Sequence, residues 1–143
     1  MTATTTHTAP ATIPAIRGSA SSQLWKTGAI AGLAASLATL AVAAAAKALD
    51  VPMTVSGKAI PLPAFAQVTF VAAIIGTVLA VVLARRADRP RRTFVVTTVA
   101  LTLLSIVPDV LADAHTATKF TLALTHVVAA AIVIPALSSR LSD

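Results

Sequence analysis

The sequence predicts an all-α membrane protein: a transmembrane four-helix up-and-down bundle, with a short hairpin in the first outer loop as an allowed addition. Three observations predict this fold. Of 143 residues, 57% are hydrophobic and only 11% are charged, against about 25% charged residues in an ordinary soluble domain. The mean hydropathy is +0.88. The apolar residues form four runs of 19–23 residues, the length at which a helix crosses a hydrocarbon core about 30 Å thick.

The chain divides into a polar tail, a four-span domain and a short end. Residues 1–22 are rich in Thr, Ala, Ser and Pro, which predicts a disordered cytoplasmic tail. The domain covers 23–138, and 139–143 form a short cytoplasmic C-terminus. The predicted spans are 27–49, 64–84, 94–112 and 118–137. The first run is longer than the 7–15 apolar residues of a signal peptide, so we expect a retained span.

The first loop between spans reads DVPMTVSGKAIPLP over residues 50–63. The segment around VSGK is compatible with a strand, a turn and a second strand. A short hairpin that covers one end of the bundle is therefore one of two predictions for this loop, and an irregular loop is the other.

The distribution of basic residues predicts the orientation in the cytoplasmic membrane. Eight of the eleven Lys and Arg residues fall in the tail, the middle loop and the C-terminus, and three fall on the other side. Because the side richer in Lys and Arg faces the cytoplasm, both termini are expected inside. Five arginines of the middle loop are also candidates for contact with anionic lipid: Arg85, Arg86, Arg89, Arg91 and Arg92. The net charge of +6 is thus a topology signal, and nucleic-acid binding is not expected because aromatic residues for base stacking are nearly absent.

Small residues recur every four positions in the first two spans. Gly28, Gly32 and Ser36 form one such row, and Gly76 belongs to another with neighbouring alanines. Small residues at this spacing let helix backbones approach closely in lipid, although an Ala-rich sequence also produces such rows by chance. The rows predict helix packing, either within the chain or between copies in a homo-oligomer or a larger membrane complex.

The third span carries a polar stripe that continues to the loop after it. Its members are spaced four, three, four and four residues apart and share one helix face: Thr98, Thr102, Ser105, Asp109 and Asp113. Counting from the outer ends of the spans places Asp109 at the level of Lys47, Gln67 and Thr121, with Lys119 as a further candidate for this layer. His126 lies deeper, at the level of Ser105. A charged group at such depth is costly unless it faces the bundle or water.

Two interpretations of these polar residues remain open. In the first, Asp109 and His126 form part of a proton or cation path. In the second they are structural: Asp109 pairs with Lys47 or Lys119, and His126 bonds to Ser105 or Thr102. Asp113 and His115 are weaker candidates, since a helix end exposed to water explains them.

Cofactor chemistry has little support in the sequence. Asp109, Asp113 and His115 do not have the spacing of a known metal site, a second intramembrane histidine for haem is lacking, and cysteine is absent. We therefore expect no metal, no cofactor and no catalytic residue.

Five segments together resemble a family of small, uncharacterised actinobacterial membrane proteins: LWKTGAIAG, IPLPAFA, RPRRTF, SIVPD and THVVAAAIVIPAL. The likeness covers about Leu24 to Leu137. It implies four spans and implies no activity, because the family has none assigned.

Three functional hypotheses follow. The leading one is a non-enzymatic accessory, scaffold or self-associating membrane subunit. The second is a small transporter or proton- or cation-conducting unit that uses Asp109 and His126. The third is a membrane enzyme that acts on a lipophilic substrate.

Overall fold

The computed structural model describes the backbone of residues 16–143 and the side chains of residues 21–143. Four helices follow one another: α1 (Ile16–Ala48), α2 (Leu62–Arg86), α3 (Pro90–Leu111) and α4 (Thr116–Ser138). Two short strands, β1 (Thr54–Val55) and β2 (Lys58–Ala59), lie between α1 and α2. Each helix contains a segment long and apolar enough to cross a membrane. The predicted four-helix transmembrane bundle is confirmed.

The helices extend beyond the predicted spans because hydropathy marks only their apolar part. Arg85 and Arg86 form the last turn of α2, where cations interact favourably with the helix dipole. Pro90 opens α3, at the position where a missing N–H costs nothing. Helix α1 begins at Ile16, so residues 16–22, which the composition assigned to a disordered tail, are helical. The rest of that tail lies outside the described residues.

Helix α1 packs against both α2 and α4, and α3 packs on the other side of these two helices. The α1–α2 contact is close because Gly28 and Gly32 face α2. A Cβ built on Gly28 would lie 2.1 Å from Thr77 Oγ1, and one on Gly32 would lie 3.0 Å from the Ala73 Cβ. In α3, by contrast, Phe94 is the single buried residue. The bundle is therefore tight around α1 and loose around α3.

Two apolar clusters close the two ends of the bundle. One contains Leu24, Phe94 and Leu137 together with Leu141 from the C-terminal segment. It lies near the loop between α2 and α3. We call this end of the bundle the arginine end (residues 85–92). The other contains Ala43, Ala46, Met53 and Phe65. It lies beneath the two strands. We call this end of the bundle the hairpin end (residues 49–61 and 112–115).

The hairpin allowed for in the first loop is present. Thr54 pairs with Ala59 and Val55 with Lys58 in an antiparallel register. The two turn residues, Ser56 and Gly57, have φ of 51° and 75°, the sign that a two-residue turn needs to match strand twist. The Ser56 N–H donates to the Asp113 carbonyl at 2.8 Å, and the Thr118 hydroxyl donates to the Pro52 carbonyl. The hairpin is thereby fixed onto the α3–α4 loop and covers this end of the bundle.

Candidate functional site

Asp109 of α3 and His126 of α4, both inside the predicted spans, face each other. His126 Nδ1 lies 3.1 Å from Asp109 Oδ2, and the side chains are 36% and 15% exposed respectively. The pairing of Asp109 with Lys47 or Lys119, which the structural interpretation proposed, is not formed. Lys119 instead donates from Nζ to the Val110 carbonyl at 2.9 Å, and Lys47 is exposed at the end of α1.

The His126 ring is oriented by its own helix as well as by Asp109. Nδ1 lies 3.0 Å from the Leu122 carbonyl, one turn earlier. Asp109 Oδ2 is buried and meets no donor at hydrogen-bonding geometry within the described residues. These two observations agree. The ring N–H points at the Leu122 carbonyl, so Asp109 Oδ2 lies close to Nδ1 without accepting a hydrogen bond from it. The expected bond from His126 to Ser105 or Thr102 is not formed.

The hydroxyl groups of the polar stripe are satisfied within α3. Thr98 donates to the Phe94 carbonyl at 2.7 Å, and Thr102 donates to the Thr98 carbonyl at 2.8 Å. Ser105 donates to the Leu101 carbonyl at 2.8 Å. Hydroxyl groups commonly bond back to the preceding turn in this way, which lets them lie in an apolar environment. The stripe is therefore a row of oxygen atoms whose hydrogens are already used.

A cleft of about 470 Å³ lies between α2, α3 and α4. It extends from Ala64 to Leu79 on α2, from Phe94 to Ser105 on α3, and from Leu122 to Ile134 on α4. Ala64 and Leu79 are fifteen positions apart on α2, which corresponds to a length of about 22 Å at ~1.5 Å per residue. The walls are mainly aliphatic, with His126 and a few hydroxyls as the polar groups. Its volume lies within the roughly 300–1,000 Å³ typical of sites for small molecules.

The glycines predicted for packing have two different environments. Gly28 and Gly32 are buried in the α1–α2 contact, and the Ser36 hydroxyl bonds to the Gly32 carbonyl at 2.8 Å. This row packs within the chain, which resolves the choice left open by the sequence. Gly76 lies on the cleft wall, and a Cβ built there meets nothing within 4 Å. Its lack of a side chain therefore contributes to the width of the cleft.

The remaining candidates lie at the two ends and are not brought together. Lys47 and Gln67 are exposed, so a shared polar layer with Asp109 does not form. Asp113 and His115 are also exposed, in the loop between α3 and α4. Within residues 21–143, no three His, Asp or Glu side chains are grouped so that they could hold a metal ion.

All five arginines of the middle loop are exposed at the arginine end. The C-terminal segment lies beside them, because the Arg92 backbone N–H donates to Asp143 Oδ1 at 3.2 Å. The first part of α1 is also there, since Arg85 donates to the Ser21 hydroxyl at 3.0 Å. The basic loop, the C-terminus and the beginning of α1 thus occupy one end of the bundle.

The cleft itself was not predicted from the sequence. It depends on how far α3 stands from α2, which no residue pattern specifies. The signal in the sequence is the row of small residues that contains Gly76 and, four positions earlier, Ala72, and its spacing predicts helix packing. Both residues line the cleft instead.

Comparison with known families agrees with this architecture. The chain belongs to a family of unknown function (DUF6069), whose profile matches residues 19–143. The match extends beyond the Leu24–Leu137 segment that carried the resemblance. No curated protein and no solved structure matches the chain.

Proposed function

We propose that this protein is a non-enzymatic subunit of the cytoplasmic membrane that binds a lipophilic molecule in the cleft between α2, α3 and α4. The observation that carries the proposal is the cleft, an elongated space of about 470 Å³ with mainly aliphatic walls. A small four-helix bundle with a fully packed interior has no room for such a molecule.

The position of the cleft supports a ligand that enters from the bilayer. The two apolar clusters close the ends of the bundle, whereas α3 has only Phe94 buried and leaves its side of the cleft loosely packed. Access is therefore lateral, from the hydrocarbon region. A long apolar molecule already dissolved in the membrane meets the least resistance along this route.

Photolabelling tests the proposal directly. The protein is placed in lipid nanodiscs with a diazirine-bearing C16 hydrocarbon probe, and labelled peptides are identified by mass spectrometry. We expect strong labelling on the cleft wall at Ala129 and Val133. Gly76→Leu should reduce this labelling severalfold, because the added side chain extends into the cleft, where nothing lies within 4 Å of its Cβ.

Ala41→Leu provides the matched control, since Ala41 is exposed on α1 and does not line the cleft. It should leave the labelling of Ala129 and Val133 unchanged. If the cleft wall is labelled no more than the exposed face of α1, and Gly76→Leu has no effect, the proposed binding function is wrong.

The orientation forms part of the same proposal. We infer that the arginine end faces the cytoplasm, with both termini inside and the five arginines near anionic lipid. The gathering of the basic loop and the C-terminus at one end supports this orientation together with the positive-inside rule.

Because the chain has no cysteine, Ser56→Cys and Ser142→Cys each introduce a single thiol. An impermeant maleimide on intact cells should label only the first, and the reverse result would invert the topology.

The Asp109–His126 contact favours proton or cation conduction as a second candidate function. An acid and a histidine 3.1 Å apart within the membrane could exchange a proton. Against this role, the apolar cluster of Leu24, Phe94 and Leu137 lies between the pair and the arginine end. Proton and cation flux, measured in vesicles that contain either the wild type or Asp109→Asn, tests this second function. Equal rates in both, matching empty vesicles, remove conduction from consideration.

A further inference from the structure

The two ring nitrogens of His126 have different surroundings. Nδ1 has two oxygen neighbours, the Leu122 carbonyl at 3.0 Å and Asp109 Oδ2 at 3.1 Å. A carbonyl oxygen can only accept a hydrogen bond, so the contact with Leu122 requires the proton to be on Nδ1. Nε2 has no hydrogen-bond partner within the described residues. In the neutral ring, Nε2 is therefore a bare acceptor on the residue that lines the cleft.

The contacts of the neutral ring favour one tautomer. A proton on Nε2 instead of Nδ1 would leave a bare Nδ1 facing two oxygen atoms, and it would put an N–H without a partner on a residue of a mainly aliphatic wall, where an unpaired donor is costly. The proton on Nδ1 avoids both costs and leaves a lone pair on Nε2.

The other polar groups on the cleft wall are also acceptors without a free hydrogen. The hydroxyls of Thr98, Thr102 and Ser105 donate to carbonyls of their own helix, as does Thr125, which bonds to the Leu122 carbonyl at 2.7 Å. Thr69 lies 3.0 Å from Thr39 Oγ1. Because Thr39 itself donates to the Ser36 carbonyl, the Thr69 hydrogen is used in this contact. The wall therefore presents lone pairs and no donors.

We propose that the cleft selects lipophilic molecules that carry a hydroxyl group, and that His126 Nε2 accepts the hydrogen bond from that hydroxyl. This inference rests on the proposed function of the cleft and names the ligand class. Asp109 acts as a positioning residue, since it lies beside Nδ1 and helps to hold the ring in this tautomer.

The depth of His126 narrows the class further. The residue is eight positions inside the apolar part of α4, about 12 Å from its outer end at ~1.5 Å per residue. The head group of a phospholipid stays at the interface of a core about 30 Å thick. The ligand is thus a molecule whose uncharged, hydroxyl-bearing part enters the hydrocarbon region, such as an isoprenoid alcohol or a quinol.

Paired ligands, one with a hydroxyl group and one with that hydroxyl hydrogen replaced by methyl, test the inference. Binding of tritiated geranylgeraniol and of its methyl ether is measured in nanodiscs, with empty nanodiscs as background. We expect the alcohol to bind roughly fivefold more tightly, the difference that one net hydrogen bond of about 1 kcal/mol produces. His126→Phe keeps a ring of similar size and should remove the preference. Lys47→Gln, on an exposed residue outside the cleft, should retain it.

A second pair distinguishes the two sources of the hydroxyl. Decylubiquinol is the form of decylubiquinone reduced by two electrons and two protons, so its ring oxygens carry the hydrogens that the quinone lacks. A preference for the quinol over both decylubiquinone and the alcohol assigns an aromatic diol as the ligand. A preference for the alcohol over its ether, without discrimination between quinol and quinone, assigns an aliphatic alcohol.

The tautomer gives an independent readout that does not depend on any variant folding. Nitrogen-15 NMR of histidine-labelled wild type should show His126 with a protonated Nδ1 and a bare Nε2. A proton on Nε2, or equal binding of alcohol and ether with photolabelling of the cleft intact, overturns the hydroxyl inference alone. Failure of both ligands to bind, together with failed photolabelling, overturns the proposed function as well.

Discussion

Gly28 of α1 and Thr77 of α2 are in such close contact that no side chain fits between them. A Cβ at Gly28 would lie 2.1 Å from Thr77 Oγ1 and 2.9 Å from Thr77 Cβ. The Thr77 hydroxyl donates to the Ala73 carbonyl at 2.7 Å, which holds its side chain in place. The contact joins the two helices at the point where their backbones approach.

Gly28→Ala is therefore expected to destabilise the bundle, although alanine is the better helix former. The overlap with Thr77 should cost roughly 1–3 kcal/mol, which outweighs the ~1 kcal/mol gained from helix propensity. Reversible unfolding in mixed detergent micelles measures the change. Gly76→Ala is the control, because its Cβ meets nothing within 4 Å, and it should be neutral or stabilising. If both variants have the same stability, the close contact does not exist.

The contact between Asp109 and His126 predicts unequal effects of removing either residue. His126→Leu replaces the polar ring 3.1 Å from the buried Asp109 Oδ2 by an apolar side chain, which should cost roughly 1–3 kcal/mol because the carboxyl group is then in a more apolar environment. Asp109→Leu should cost less, because His126 keeps the Leu122 carbonyl as its partner. The double variant should be more stable than His126→Leu alone, since no orphaned carboxyl group remains. Unfolding free energies of the three variants in detergent measure the order, and the reverse order of the two single variants would refute it.

The hairpin turn depends on glycine at its second position. Gly57 has φ of 75° and no atom within 4 Å of a built Cβ, so Gly57→Ala acts through the backbone alone. We expect a loss of about 1 kcal/mol, the cost of a left-handed conformation for a residue with a side chain. Ser56→Asn, at φ of 51°, should be neutral or slightly stabilising because asparagine tolerates this region. Hydrogen exchange of the Ile60 amide, which donates to the Met53 carbonyl at 2.8 Å, reports on both variants.

Thr118 anchors the hairpin to α4. Its side chain is fully buried, and its hydroxyl donates to the Pro52 carbonyl. Thr118→Val keeps the shape and removes the donor, which should cost about 1–2 kcal/mol because the carbonyl is left without its partner. Thr118→Ser keeps the donor and should retain most of the stability. Faster proteolysis of loop 50–61 in the valine variant, and not in the serine variant, is the expected result.

Much of the architecture follows from local features of the chain. The four spans require only long apolar runs, because a backbone in lipid must satisfy its own hydrogen bonds as a helix. The hairpin around Ser56 and Gly57 follows from turn chemistry, which acts over two residues. The row of Gly28, Gly32 and Ser36 likewise predicted a close helix contact, since small residues have few other roles at that spacing.

Only the tertiary structure decided which side chains of different helices meet. Depth counting placed Asp109 at the level of Lys47 and Lys119, but counting along a helix does not give the rotation of that helix about its axis. The rotation of α3 and α4 turns Asp109 toward His126, at 3.1 Å, and leaves the lysines elsewhere. The separation of α3 from α2 likewise opens the cleft beside Gly76. In a membrane, apolar side chains gain little by leaving lipid for one another, so the apolar residues of the sequence do not specify these distances.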